Sequence, residues 1–484
     1  MSVNMNKEWA LLLIVFLPLL GAAFLPFVGL VWAKARNLAA FILVVASCAL
    51  SGSIASSVVS GQIINITLPF PLGFNFVFNA DGLAVFMALV SSFISAVIIV
   101  YSFDYISHYK HQQEYYSMVV LFLGAMMGLI FSANLIFLYI FWEITSITSW
   151  RLIGFFREKK DVLRADKAFL VTVFGALVML LGFIKLYLET GSFDLSAIQA
   201  AARVNPVSNL AIALILVGIF AKSATLPLHT WLPDAGVAPS PVTALLHAAV
   251  LVKIGVYVFA RLFVVTMPLA LPWQTFVAII AGISALVSGG AALIDTDLKR
   301  IIAYSTVSQI GFIFLGFAMG CEIGVAGSLL YILMHGISKA GLFLCAGIVE
   351  HNTKTKDITQ LGGLIRTMPV TAVSFLLCAF SVMGIPPFGG FFSKYMVIAG
   401  TLQDGRLMIA AVFLFGALLT ILYLLRVFSM VFLGEEKKSF AKEGSGLMVF
   451  CVALFAFISL IGGIFVQYPN QMLQAILPQI IGLR

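Results

Sequence analysis

Long apolar runs separated by short charged clusters set the pattern of this chain. Fourteen segments read as bilayer-crossing helices: 9–31, 38–58, 80–102, 115–132, 134–155, 165–188, 208–230, 241–262, 272–294, 301–320, 324–349, 368–400, 407–433 and 447–467. Each approaches the roughly 20 apolar residues that a helix needs to span a hydrocarbon core. The segment 60–79 differs. It is uncharged and alternates Ile, Val and Phe around Pro69, Pro71 and Gly73, which predicts a short extramembrane hairpin.

Two spans carry helix breakers inside an apolar stretch. The seventh reads AKSATLPLHTWLPDAGVAPSP, with Pro227 and Pro233. The twelfth reads SVMGIPPFGGFFSKYM, with Gly384, Pro386, Pro387, Gly389 and Gly390. Broken helices at matching places in two halves point to an inverted repeat with an ion path between them. The freed backbone groups must then face protein or water. The plainer alternative is one proline kink and one loop.

Composition agrees with the spans. Of the 484 residues, 62% are hydrophobic and 10% charged, and the mean hydropathy is +1.10. Soluble domains carry about 25% charge, so a soluble globular protein and a disordered chain are both excluded. The net charge of +8 includes no basic stripe interleaved with aromatics, so nucleic acid is not a partner. Seventeen of the 28 basic residues fall in loops after odd-numbered spans, among them Lys299, Lys437, Lys438 and Lys442. Five fall in the termini and even-numbered loops: Lys7, Arg203, Arg261, Arg406 and Arg484. That asymmetry places the odd loops in the cytoplasm and both termini outside. The first apolar run is longer than a signal-peptide core of about 7–15 residues, and Lys34 and Arg36 follow it. The five cysteines stand singly, with no CxxC and no Cys/His cluster. No zinc, iron–sulfur, haem or disulfide framework is expected, and no cofactor. Any redox chemistry belongs to another chain.

The charges inside the membrane are the informative ones. Lys185, Lys222, Lys253, Lys339, Lys394 and Arg426 lie within spans, and one acid, Glu143, sits in mid-span. A charge at the bilayer centre costs at least ~2.5–3.5 kcal/mol and marks a functional candidate. Lys185 is one turn from its helix end at Glu189 and Arg426 is near Gly434, so both read as snorkelling and structural. Lys253 lies some 18 Å deep, beyond snorkelling reach. Lys339 is also near mid-helix, Lys222 precedes the Pro227 break and Lys394 follows the Pro387 break. Desolvation disfavours the ammonium form, and a nearby carboxylate restores it. Moving Glu143 toward or away from Lys222 would therefore switch a proton on and off the lysine. Four deep lysines with one deep acid suit a proton relay. His335 lies four residues before Lys339 on one helix face. His247 and His229 are secondary relay candidates, weighed against the plainer reading of a hydrogen-bonded structural histidine. His108, His111 and His351 read as solvated. Arg151, about 12 Å along the helix from Glu143, reads as a cytoplasmic anchor.

These residues resemble the antiporter-like membrane subunits shared by respiratory complex I, Mrp cation/proton antiporters and membrane-bound hydrogenases. The strings FWEITSITSWRLIGF, AKSATLPLHTWLPDAGVAPSPVTALLHAAVLVKIGVYVFARL, DTDLKRIIAYSTVSQIGF, HGISKAGLF and GIPPFGGFFSK carry the resemblance across most of the chain. It implies an all-α polytopic fold with two inverted five-helix repeats, each with a broken helix. The divisions are 1–112 for three N-terminal spans, 113–264 and 265–436 for the repeats, and 437–484 for the C-terminal span. It also implies roles. Glu143 and Lys222 match the coupling ion pair, Lys253 the bridging lysine, His335 and Lys339 the central relay, and Lys394 the terminal lysine. The loop Asp295–Arg300 matches a structural helix-entry motif. Arg151 departs from the usual apolar residue. The chain ends about 17 residues after its last span, without the long C-terminal extension of the largest complex I or Mrp subunits.

The function expected is proton translocation, or Na⁺/H⁺ exchange, by one subunit of a redox-driven complex in a prokaryotic cell membrane. Its partners would be paralogous membrane subunits and a redox module. The alternatives are an Mrp-type subunit for cation/proton antiport, a gradient-using partner of a soluble enzyme, and a scaffold without conduction. Na⁺ prefers oxygen ligands and only Glu143 is deep, which disfavours an internal Na⁺ site.

Overall fold

A computed structural model describes residues 2–69, 75–437 and 443–482, with side chains from Asn6 onward. Lys438, Lys442 and Arg484, which entered the charge asymmetry, lie outside the described residues, as do Pro71 and Gly73 of the hairpin turn. Two helices, α1 (Ser2–Val31) and α2 (Ala33–Val59), lead into a hairpin of β1 (Ile64–Leu68) and β2 (Phe76–Ala80). The strands are antiparallel, with Ile64 opposite Ala80 and Leu68 opposite Phe76. Then follow α3 (Gly82–Tyr105), α4 (Gln112–Phe131), α5 (Leu135–Ile153), α6 (Lys159–Thr190), α7 (Leu195–Val204), α8 (Asn209–Lys222), α9 (Trp231–Asp234), α10 (Ser240–Ala244) and α11 (Leu251–Ala260). The second half holds α12 (Leu271–Ile294), α13 (Leu298–Met319), α14 (Glu322–Thr353), α15 (Pro369–Met383), α16 (Gly389–Gln403), α17 (Leu407–Phe432), α18 (Gly446–Ile464) and α19 (Gln467–Ile481).

Among the described residues, 12 helical stretches are long and apolar enough to cross a membrane. Two shorter apolar helices, Asn209–Lys222 and Pro369–Met383, are the first limbs of the two broken spans. The inner elements are the 240–266 rod, α13 and α14, each 94% buried over its most apolar stretch, whereas α1 and α17 are 33% buried there and face outward. Single turns of π-helix at Leu245–Ala249 and Arg261–Thr266 interrupt the 240–266 rod. Such turns collect at functional sites.

The breaks are tied down rather than loose. After Lys222, Ala224 adopts a left-handed φ of 52°. Trp231 Nε1 then donates to the Ala221 carbonyl at 2.9 Å, and the Leu226 amide donates to Ser284 Oγ at 3.0 Å. In the second break, Gly384 caps α15 at φ 83°. A Cβ on Gly390 would sit 1.8 Å from the Ser381 carbonyl oxygen, so only glycine lets α16 start against the end of α15.

The two halves repeat one backbone pattern. Before α5, the Leu135 amide donates to the Phe193 carbonyl and the Leu195 amide to the Ala133 carbonyl, both at 2.9 Å. Before α13, the Leu298 amide donates to the Lys356 carbonyl at 2.8 Å and the Ile358 amide to the Thr296 carbonyl at 2.9 Å. Asn134 and Asp297 cap the helices that follow. The chain crosses through α5, α6, the first broken span, the 240–266 rod and α12 between these points.

Two helices were not expected from the sequence. The loop 189–208 contains α7, which buries Leu195 and Ile198. Beyond the last span lies α19, which buries Leu473, Ile476, Leu477 and Ile480. Gln479 fixes α19 by accepting from the Gly82 amide at 2.8 Å and donating to the Val58 carbonyl at 2.7 Å.

Candidate ion-relay site

The four deep lysines are all buried, with exposures of 0% for Lys222, Lys253 and Lys339 and 6% for Lys394. Lys222 is the last residue of α8, where the helix dipole favours a cation. Its Nζ donates to Ser146 Oγ at 2.7 Å and to the Trp142 carbonyl at 3.2 Å, 5.2 Å from the Trp142 ring centroid. Glu143 lies on α5 between these partners. The ion pair implied by the resemblance is not closed: Lys222 bonds the residues around Glu143, and Glu143 Oε1 is buried without a hydrogen-bond partner.

Lys253 joins the halves. Its Nζ is 2.8 Å from His335 Nδ1 on α14. His335 and Lys339 share a helix but turn to different neighbours. Lys339 Nζ contacts Ser305 Oγ at 2.6 Å and donates to the Ile302 carbonyl at 3.1 Å on α13. Lys394 Nζ donates to the Val382 carbonyl at 2.7 Å and faces the rings of Phe312 at 4.6 Å and Tyr331 at 5.6 Å. His247 is buried against Phe343 at 4.4 Å between ring centroids, with both ring nitrogens unpartnered. His229 sits half-buried in the first break with Nδ1 unpartnered.

Polar residues that sequence reasoning missed lie between Lys339 and Lys394: Ser305, Gln309, Tyr331, Thr420 and Tyr423. The signal was present in AYSTVSQIGF, where Ser305, Ser308 and Gln309 put polar groups on one face of an apolar span.

Residues expected to be structural are so placed. Lys185 pairs with Glu189 at 3.1 Å. Arg426 donates to the Leu293 and Asp295 carbonyls at 2.8 and 2.9 Å, closing the end of α12. Arg151 pairs with Glu114. Asp297 caps α13, and Arg300 pairs with Asp295 at 2.9 Å and Asp234 at 2.7 Å. Asp234 also pairs with Lys167 at 2.7 Å, which ties the far end of the first break to α6 and α13. Burial alone would raise the Asp234 carboxyl, but the Lys167 hydrogen bond and the charges of Lys167 and Arg300 hold it below its ordinary value. Replacing Lys185 with alanine should leave transport in sealed vesicles within about twofold of wild type, as expected for an exposed ion pair of 0–1 kcal/mol.

Two placements correct the sequence reading. Arg261, counted among loop charges, is buried and pairs with Asp81, Nη2 to Oδ1 at 2.7 Å. Lys299, also counted as a loop charge, is 2% exposed and pairs with Glu350 at 2.5 Å. Both were misassigned because they sit where apolar runs end, and their partners are distant in sequence.

Solved structures share this architecture. The Mrp complex from Dietzia sp. DQ12-45-1b contains a chain that superposes with TM-score 0.90 at 23% identity, covering 98% of this chain and 97% of that one. Chains of the membrane-bound sulfane sulfur reductase, an archaeal respiratory membrane complex, and of respiratory complex I from Thermus thermophilus give TM-scores of 0.89 and 0.86 at 24% and 22% identity, each covering 98% of both chains. These likenesses bear on the fold. Among curated proteins, a Na(+)/H(+) antiporter subunit of Alkalihalophilus pseudofirmus is 36% identical over 78% of this chain and 51% of its own length. A Na(+)/H(+) antiporter subunit of Staphylococcus haemolyticus is 33% identical over 85% of this chain and 55% of its own. The chain thus spans about half the length of the curated relatives it matches. The family model for the complex I chain 5 N-terminus matches residues 69–116. The model described as NADH:quinone oxidoreductase/Mrp antiporter, TM, matches residues 132–420, more than half of the chain. The chain is therefore a membrane-embedded member of the NADH:quinone oxidoreductase/Mrp antiporter family.

Proposed function

We propose that this chain moves protons across a prokaryotic cell membrane as one antiporter-like subunit of a larger complex, with both termini outside. The relay runs through Glu143, Lys222, Lys253, His335, Lys339 and Lys394, with His229 and His247 at its sides. The observation that carries this reading is the 2.8 Å contact of Lys253 on α11 with His335 on α14, both fully buried. The repeated clasps support the division into 1–112, 113–264, 265–436 and 437–484. The charges enter and leave the relay by electrostatic coupling: with Glu143 near, Lys222 holds its proton; with Glu143 withdrawn, it releases the proton toward Lys253.

A neighbouring subunit is part of this reading. Glu143 is half-buried on a face of α5 where Ile140 and Ile147 are 44% and 50% exposed. A carboxyl group there needs a covering partner rather than lipid. Cation/proton exchange of the Mrp type is favoured over a redox-driven pump by the names of the relatives at 33–36% identity.

In sealed everted vesicles, Lys222→Ala or Glu143→Ala should reduce cation-dependent proton movement at least tenfold while the complex still assembles. Full activity in both variants would rule the relay out. Mass spectrometry of the subunits that co-purify with the tagged chain decides the drive: redox-centre subunits indicate an electron-driven pump, and only small membrane proteins indicate an antiporter.

A further inference from the structure

Helices α8 and α12 turn mainly apolar faces toward each other across a groove. On α8, Asn209, Ala213, Leu216 and Phe220 recur at steps of four, three and four, so they share one face. On α12, Trp273, Phe276 and Ile280 do the same. Helix α8 packs mainly on α6 and α11, and α12 on α13 and α17. The facing sides line a cavity of about 730 Å³. Sites that take a small molecule measure roughly 300–1,000 Å³ and are mostly apolar.

The groove is one leaflet long. From Asn209 to Phe220, α8 rises about 17 Å, close to half of a hydrocarbon core roughly 30 Å thick. From Trp273 to Ser284, α12 rises by the same ~17 Å. The deep end is formed by Leu226, Pro227 and Leu228 of the first break, where the Leu226 amide donates to Ser284 Oγ at 3.0 Å. At the shallow end Trp273 Nε1 donates to Asn209 Oδ1 at 2.7 Å, a place where tryptophan commonly marks the membrane–water boundary. There the groove meets a second cavity of about 260 Å³, which shares Asn209 and Trp273 and adds Gln199 and Arg203. Gln199 Nε2 donates to the Val265 carbonyl at 3.0 Å and so fixes α7 on the end of the 240–266 rod. Arg203 stands exposed in the last turn of α7.

We propose that this groove binds one membrane phospholipid, with an acyl chain between α8 and α12 and the phosphate at Arg203. An arginine guanidinium holds a phosphate by paired, charge-assisted hydrogen bonds. Phe174 and Phe276 at the rim are 58% and 43% exposed, so the lipid enters sideways from the bilayer. A transmembrane helix of a neighbouring subunit runs through both leaflets, whereas the groove stops at the break after one. A phospholipid has that single-leaflet length and carries its charge at the end where Arg203 stands. The tip of its chain rests on the 226–228 turn, which follows Lys222 at the end of α8. The lipid thereby braces the break that carries Lys222. Binding needs no proton transfer, so the site stands apart from the relay.

The test is the phospholipid retained by the whole complex after purification in a mild detergent, counted by mass spectrometry of the extracted lipid. Ala213→Phe puts a ring into the groove, and Arg203→Gln removes the charge at its mouth. Each should lose about one phospholipid per complex relative to wild type, and the double variant no more, because both changes act on one molecule. Hydrogen–deuterium exchange reads the break. The Leu226 amide should exchange about tenfold faster in Arg203→Gln than in wild type, as when a local opening is no longer held shut. Equal phospholipid in wild type and both variants would overturn the site. Loss of a protein subunit from Ala213→Phe in place of a lipid would overturn it too, and would make the groove a subunit interface. Loss of lipid with unchanged exchange at Leu226 overturns the bracing of the break. Should Ala213→Phe fail to assemble, Arg203→Gln decides alone, since it changes an exposed side chain.

Discussion

Replacing Lys253 with methionine should abolish proton movement in sealed vesicles, by about 100-fold or more, as expected when a positioned proton carrier is lost. Lys253 Nζ, 2.8 Å from His335 Nδ1, supplies the join between the α11 side and the α14 side. Methionine matches the length of lysine and carries no proton. Its effect on folding should be small. The variant leaves His335 Nδ1 unpartnered, at about 1–3 kcal/mol, but it also removes a buried amine that no carboxylate compensates. The same complex should therefore be recovered from membranes in near-normal amount. His335→Ala should give a similar loss, and the double variant no additional one, because groups acting as one unit are not additive. Retention of a third of the wild-type rate in Lys253→Met would mean that the halves communicate elsewhere.

The lysines themselves were legible in the sequence because depth is a one-dimensional quantity. Counting residues from the nearest loop separates Lys253 from Lys185, and the structure buries the first completely and leaves the second partly exposed beside Glu189. The breaks were legible for a similar reason, since Pro227 and Pro386 interrupt apolar runs locally. Contacts across the bundle were not legible. Gln309 meets Tyr331 22 residues away and Tyr423 114 residues away, and no periodicity within one helix reports such a meeting. Lys222 and Glu143 show the limit of a resemblance. It brings the right helices together, yet the side-chain bonds go to Trp142 and Ser146. Short amphipathic helices were missed because α7 and α19 lack the apolar length that marked the spans. Their positions follow from what they cover.

The buried pair of Asp81 and Arg261 should be a stability-sensitive charge pair. Arg261 Nη2 donates to Asp81 Oδ1 at 2.7 Å, while its Nε and Nη2 donate to Tyr257 OH at 3.0 and 2.9 Å. Side-chain exposures of 6% and 8% leave little solvent to replace a lost partner. Asp81 also caps α3 by accepting from the Ala84 amide at 2.9 Å. Arg261→Met would leave that carboxylate bare, a change of about 3–5 kcal/mol for a broken buried pair. The expected outcome is a sharp fall in recovered complex and a lower melting midpoint in detergent. Removing both charges should be milder than removing one. Asn is a good N-cap, so Asp81→Asn combined with Arg261→Met keeps the start of α3 satisfied and leaves no unpaired ion. The double variant should therefore recover most of the stability that Arg261→Met loses. If the two changes instead add, the pair contributes no mutual stabilisation, and the connection of α3 to the end of the 240–266 rod rests on apolar packing alone.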